Sequence, residues 1–194
     1  MAIDIQPLTP DRLSDLATLF DQGGDPKWFW CTWFRFRGRD FTNSTGAQNR
    51  ADFEAAATVL APERAPGLVA YQDGTVVGWT RLGTREDFDR LAHARVLGRL
   101  DDVPVWSIVC FVVDRQMRGQ GIGRALLDAA IDYAREHGAT TLEAYPVDTE
   151  ARRITSANAA GGTLRMFLAA GFEVASWRQA NAKTTPRPIV RRSL

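Results

Sequence analysis

The sequence predicts an α/β fold built on a mixed sheet, and three observations predict it. Val105–Gly138 reads as a β-branched strand, a turn rich in glycine and arginine, and then an amphipathic helix. Thr140–Tyr145 follows as a second strand, which makes a strand–helix–strand unit with parallel strands. Gly67–Tyr71 and Thr75–Leu82 flank Asp73-Gly74, a dipeptide that closes a hairpin between antiparallel strands.

The remaining elements follow in order. Ile3–Gln6 reads as an edge strand. Thr9 and Pro10 open a helix reaching Asp21, with Leu13, Leu16, Leu19 and Phe20 on its apolar face. Gly23–Pro26 breaks it, Trp28–Phe36 is dense in aromatics, and Arg37–Gln48 is polar enough for a loop. Arg50–Leu60 reads as a second helix, ended by Pro62, Pro66 and Gly67. Arg85–Leu97 is helical or irregular. In the central helix Ile122, Ala125, Leu126, Ala129, Ala130 and Tyr133 share one face, and Gly138 stands where a helix-ending glycine belongs. A helix over Thr163–Ala170, a strand over Phe172–Trp177 and a closing strand over Ile189–Arg192 complete the chain.

Composition excludes several classes. A chain of 194 residues is long enough to bury roughly 70% of its unfolded surface. A formal net charge of +1 argues against nucleic acid or an anionic membrane as a partner. Two histidines and no C-x-x-C leave no basis for a metal site. The two cysteines, Cys31 and Cys110, supply no disulfide framework. The opening MAIDIQPLTP has neither the basic nor the apolar region of a signal peptide, and no apolar run reaches the ~18 residues a membrane span needs. The expected location is cytoplasmic.

The chemistry concentrates at Arg118-Gly119-Gln120-Gly121-Ile122-Gly123, between strand and helix. Backbone N–H groups at a helix N-terminus point outward, and the helix dipole favours an anion there. Gly119, Gly121 and Gly123 carry no Cβ and allow close approach, while Arg118 and Arg124 can pair with phosphate oxygens. The junction therefore suits a phosphorylated ligand. A dinucleotide fingerprint requires G-x-G-x-x-G directly after the strand, with an acidic residue about 20 residues on. Glu143 is placed for that role, but the glycines run G-x-G-x-G and Asp114–Arg118 separates them from the strand. The plainer alternative is an ordinary strand–helix turn with surface arginines.

This stretch resembles the pyrophosphate motif of the GNAT superfamily, the acyl-CoA-dependent N-acyltransferases. Arg118 takes the first place of that Q/R-x-x-G-x-G/A motif, and Gly121 and Gly123 take its glycine places. Phe111-Val112-Val113 matches the strand end that runs beside pantetheine, and Gly171-Phe172 matches a G-F step further on. The resemblance covers Gly67–Leu194 and little of what precedes it. It implies one GNAT-type domain over 1–194, with a mostly antiparallel mixed sheet and flanking helices around the parallel unit. Residues 1–66 would form the acceptor side and 67–194 the CoA-binding core. Acetyl-CoA is the implied acyl donor, without a metal. The residues implied to hold it are Phe111, Val113, Arg118, Gly119, Gln120, Gly121, Ile122, Gly123, Arg124, Asn158 and Phe167.

Acyl transfer to an amine needs a base for the amine proton, stabilisation of an oxyanion, and preferably an acid for the thiolate. In many family members a tyrosine four residues before the G-F glycine is that acid; here Phe167 stands in its place. An asparagine found seven residues earlier is replaced by Ala160, with Asn158 close by. Where the central strand often offers a glutamate, Trp106–Val109 has only Ser107 as a polar group. Either the thiolate leaves unaided, or Tyr145 substitutes; the plain alternative for Tyr145 is an aromatic packed on the core. Asp148 could be a base or merely a turn residue after Pro146. Ser107 and Cys110 have opposite parity on an alternating strand, so at most one would face the substrate. Cys110 has no adjacent histidine to activate it as a nucleophile. Tyr145 and Ser107 are the catalytic candidates.

Recognition of the acceptor must draw on other residues. Trp28, Trp30 and Trp33 lie within six residues, followed by Phe34 and Phe36 interleaved with Arg35, Arg37 and Arg39. The readings are a core-packing element, an aromatic acceptor pocket near Asp25 and Asp40, or a single-stranded RNA surface. Taken together, the expectation is an N-acetyltransferase that moves an acetyl group from acetyl-CoA to a primary amine of a small molecule. The alternatives are a catalytically silent acyl-CoA-binding module and acetylation of an RNA-borne aminoacyl group. A homodimer is compatible with either reading.

Overall fold

A computed structural model of the chain describes every residue except 1, 23, 37, 61–63, 150–159, 180, 182, 183 and 185. Its strands are β1 (Ile3–Pro7), β2 (Gly67–Gln72), β3 (Thr75–Thr84), β4 (Trp106–Val113), β5 (Thr141–Ala144), β6 (Glu173–Arg178) and β7 (Arg187–Ser193). They form one sheet in the order β1-β2-β3-β4-β5-β7-β6. Only β4 and β5 run parallel; every other neighbouring pair is antiparallel. The sheet is thus mixed and mostly antiparallel, as the resemblance implies. The β2–β3 hairpin turns through Asp73 (φ 50°) and Gly74 (φ 76°), the two positive φ values that a two-residue type I′ turn needs.

Helices cover both faces. Helix α6 (Ile122–Glu136) connects β4 to β5 and buries Ile122, Leu126, Leu127, Ala130, Ile131 and Ala134. The buried stripe is rotated from the expected one: the bulkier Leu127 and Ile131 turn inward, and Ala125, Ala129 and Tyr133 are left half-buried. The helix ends at His137 and Gly138 (φ 80°), as its sequence demands. Gly78 of β3 lies under this helix, where a Cβ would come within 2.8 Å of Ile122. Short α7 (Leu164–Leu168) adds Phe167 to the same core.

The opposite face carries α1 (Leu13–Asp21), α2 (Asp25–Phe29), α3 (Gly38–Thr42), α4 (Gly46–Leu60) and α5 (Asp89–His93). Leu16, Phe20, Trp30, Phe53, Trp79 and Phe88 form its centre. The expected loop over Arg37–Gln48 thus contains a short helix, and α4 starts four residues earlier than Arg50. The reason is a capping box. Thr45 Oγ1 accepts from the Gln48 N–H (3.2 Å), and the Gln48 side chain accepts from the Thr45 N–H (2.8 Å). Among the described residues, no helix is long and apolar enough to cross a membrane.

Two expectations about β4 are corrected. Arg81 pairs with Cys110 and Leu82 with Ile108, so Val109 is an extra residue, a β-bulge. The bulge shifts the alternation by one. Val109 and Cys110 both join the core beneath α1, and Ser107, on the side of Tyr145, shares that face. The opposite parity expected of Ser107 and Cys110 therefore fails. Cys110 is also joined to Cys31 in a disulfide, with the Cα atoms 6.2 Å apart. Trp30 (φ 46°) and Cys31 (φ 49°) take left-handed conformations that fold the end of α2 back onto β4. Nothing in sequence spacing brings residue 31 to residue 110.

Candidate active site

The pairing of β4 with β5 ends at Ile108–Ala144, immediately before the bulge. Beyond that point the strands part, and a cleft of about 810 Å³ opens. Phe111, Val113, Arg118 and Gly123 line it, together with Thr163 at the N-cap of α7 and Met166 within that helix. The other wall comes from α1 and α2, through Leu19, Asp25, Pro26 and Phe29. The cleft ends at the first turn of α6. There Gly119 (φ 79°) and Gly121 (φ 85°) hold a backbone that L side chains rarely adopt, and a Cβ at either position would meet open space. The first i→i−4 bond of the helix runs from Ala125 to Gly121 (3.0 Å), so the amides of Ile122, Gly123 and Arg124 precede the ladder and face outward. This geometry suits an anion.

Other candidates have fixed partners. Arg118 stays exposed and, among the described residues, reaches the Val113 carbonyl (3.4 Å). Arg124 is bound to both oxygens of Asp128 (2.9 and 2.8 Å) and to the Ala169 carbonyl (2.9 Å), which ties α6 to the end of α7. The Phe111 N–H is held by the Ala160 carbonyl (2.6 Å). Gln120 is exposed and touches Gln116 and Met117 weakly. Among the described residues, no three His, Cys, Asp or Glu side chains are grouped as a metal ion would need.

Beside the parting strands lies a buried polar network. Tyr145 donates its hydroxyl to Glu143 (2.6 Å), accepts from Arg85 (2.7 Å), and lies 3.1 Å from Ser107. Glu143 also accepts from Arg85 (2.5 Å) and from Arg191 (2.8 Å), and Arg191 continues to Asp101 (2.6 Å). Arg85 uses its second nitrogen on the carbonyls of Leu91 and Leu97, which holds the segment after β3 against the sheet. Burial, and then the adjacent Glu143 charge, push the Tyr145 phenol well above its ordinary pKa.

The acetyltransferase (GNAT) family pattern matches residues 27–155 of the chain. The chain belongs to this family. No curated protein matches it closely enough to count as a relative. Solved structures of the same fold include the PaiA N-acetyltransferase of Thermoplasma acidophilum, in complex with coenzyme A. It is 14% identical, with 100% of both chains covered and a TM-score of 0.57. The putative acetyltransferase YncA of Salmonella typhimurium, solved with acetyl-CoA, is 19% identical over 100% of this chain and 95% of that one, with a TM-score of 0.57. A mutant agmatine N-acetyltransferase is 12% identical over 99% of each chain, with a TM-score of 0.62.

In this GNAT acetyltransferase the sequence candidates separate into groups. Phe111, Val113, Arg118 and Gly123 come together on the cleft. Phe167 is fully buried between Phe111 and Phe172, a core residue rather than a cleft residue. Ile122 buries its side chain and offers only its amide. Asn158 lies outside the described residues. Tyr145 and Ser107 do meet, but inside the sealed network. The glutamate missing from β4 has a counterpart on β5: Glu143 stands directly opposite Ser107 in the parallel register. In the sequence Glu143 stands out only at the acidic place of a dinucleotide fingerprint. Trp30 is core, packed on Phe20 and Phe53. Trp28 and Trp33 are 42% exposed and flank Phe41 at 4.7 and 4.9 Å. Arg90 covers the face of Trp33 at 3.7 Å.

Proposed function

We propose that the chain transfers the acetyl group of acetyl-CoA directly to a primary amine of a small acceptor. The observation that carries this reading is the cleft itself. It opens where β4 and β5 part and reaches Arg118 and Gly123, which bracket two positive-φ glycines and the outward amides of the α6 first turn. Those amides and Arg118 suit the pyrophosphate, and Val113 and Phe111 flank the path of the pantetheine arm. Bound there, acetyl-CoA supplies a thioester, an acyl group already activated for attack. Its thiolate has the pKa of an ordinary thiol, ~8.5, and leaves without a dedicated acid. That accommodates Phe167 at the place of the family tyrosine.

The acceptor side falls to α2. Asp25 is the carboxylate that this helix turns into the cleft beside Pro26 and Phe29. It attracts an ammonium group and orients the amine that forms from it. Trp28, on the same helix, packs on buried Phe41 outside the cleft lining, and its half-exposed ring suits an apolar or cationic body. Trp33 is less available, because Arg90 occupies its face.

Steady-state turnover of acetyl-CoA against a panel of primary amines tests the reading. Asp25→Asn and Trp28→Ala are expected to raise the acceptor KM about tenfold or more, with the acetyl-CoA KM unchanged. Acetyl-CoA binding by calorimetry with no turnover on any amine would instead select the silent binding module.

A further inference from the structure

The wedge between β4 and the chain that follows β5 is filled by the protein itself. The last rung of the parallel pair is Ile108–Ala144, and beyond it the Phe111 N–H points into the gap and donates to the Ala160 carbonyl (2.6 Å). On the other side, the Gly162 carbonyl accepts from the Val147 N–H (3.0 Å), and the Leu164 N–H donates to the Val147 carbonyl (2.8 Å). Val147 and Thr163 thereby form a parallel bridge. Residues 160–164 are thus a strand-like strap bonded to both sides of the wedge. Ala160, Gly162 and Thr163 also line the cleft.

The two ends of the strap are held unequally. Gly162 (φ 81°) is wedged in place, since a Cβ there would stand 2.9 Å from both Met166 and Phe167. Thr163 caps α7 by accepting from the Met166 N–H (3.3 Å), so this end is anchored on the helix. Ala160 is half-buried, and among the described residues its tie across the gap is the one backbone bond to Phe111. Gly161 joins the two ends and fits only for want of a side chain: a Cβ there would stand 2.8 Å from the Tyr145 carbonyl oxygen.

The Phe111 N–H is also the donor that β4 presents where the pantetheine path leaves the paired strands. A residue has one backbone donor, and the arm of acetyl-CoA brings amide carbonyls of its own. Exchanging one carbonyl for another at that N–H costs little net free energy. We propose that the strap is self-inhibitory: its Ala160 end competes with acetyl-CoA for the Phe111 N–H and swings out about Gly161 and Gly162 when acetyl-CoA binds. This rests on the reading of the cleft as the acetyl-CoA site. A closed strap weakens apparent affinity in inverse proportion to the fraction of molecules that are open.

Calorimetry and stopped-flow mixing of the full chain with acetyl-CoA test the proposal. Gly161→Ala sets a methyl against the Tyr145 carbonyl while the strap is closed, and Ala160→Gly loosens the same end through chain freedom. Both variants are expected to bind acetyl-CoA about threefold to tenfold more tightly than the parent. In the parent the association rate should level off as acetyl-CoA rises, because opening limits it, and the plateau should be higher in Gly161→Ala. A strap built to hold acetyl-CoA gives the opposite sign, so weaker or unchanged binding in the variants would overturn the proposal. Circular dichroism monitors folding, and if Gly161→Ala does not fold, the sign in Ala160→Gly decides. Absence of binding in the parent and both variants would instead remove the acetyl-CoA site itself, and the role of the strap with it.

Discussion

Tyr145 places its hydroxyl where three side chains converge, and that placement decides its role more than its residue type does. The phenol donates to one buried carboxylate and accepts from one buried arginine, with Ser107 alongside. A group with every hydrogen-bonding site occupied, and only 2% exposed, is poorly placed to pass a proton to a leaving group. Tyr145→Phe is expected to cost about 1–3 kcal/mol of stability, since Glu143 and Arg85 each lose a partner. It should leave kcat/KM within about tenfold. The pH dependence has a definite sign. The folded phenol pKa is raised, so the folded chain holds this proton more tightly than the unfolded chain does. Its contribution is complete below the unfolded value of 10.0 and is lost as pH rises beyond it. Denaturation at pH 7 to 11 should show less alkaline loss in Tyr145→Phe. A 10²-fold fall in kcat at unchanged stability would restore Tyr145 as the acid.

The strand–turn–helix element behaves as a unit. Gly121→Asp would strain a φ of 85° and set a carboxylate beside the open amides of the α6 first turn. The expected result is loss of measurable acetyl-CoA affinity by calorimetry, with circular dichroism unchanged. Unchanged affinity would remove the anion site from this turn. This element was legible in sequence because glycine spacing, helix periodicity and the Gly138 stop all report on local backbone. The start of α4 was misread: composition pointed to a loop over Arg37–Gln48, and the capping pair Thr45 and Gln48 outweighs it. The bulge at Val109 was not legible. Trp106–Val113 is apolar on nearly every residue, so a shift of phase leaves no mark on its hydropathy. Glu143 escaped for a related reason: its charged partners, Arg85 and Arg191, lie 58 and 48 residues away and meet it only through the sheet.

At the scale of the whole molecule, the helices before β2 are held to the sheet by one covalent tie. Cys31 and Cys110 enclose a separation of 79 residues, and closing a loop of that length is worth about 4–5 kcal/mol in the chain-entropy account. Reduction, or Cys31→Ser, is therefore expected to lower Tm by many degrees, while Cys31→Ser should no longer respond to reductant. A Tm insensitive to reductant in the parent would show that packing of Trp30, Phe20 and Phe53 alone suffices. The overall architecture was readable from the order of elements. The two-sided core was not, because beyond the apolar stripe of α1 residues 22–66 carry no strong period and find their places only against the finished sheet.

The bulge has a consequence for changes of chain length. Trp106 and Ile108 lie on the α6 face before Val109; Phe111 and Val113 lie there after it. Removing Val109 would leave an uninterrupted alternation in which every remaining side chain keeps its own face. The Leu82–Ile108 and Arg81–Cys110 pairs would become consecutive rungs. A shortened chain should therefore still fold, with a straight β4 that no longer bends away from β5. One codon's deletion would separate the architecture from the opening it serves. The expected signature is a cooperative melting transition without acetyl-CoA binding.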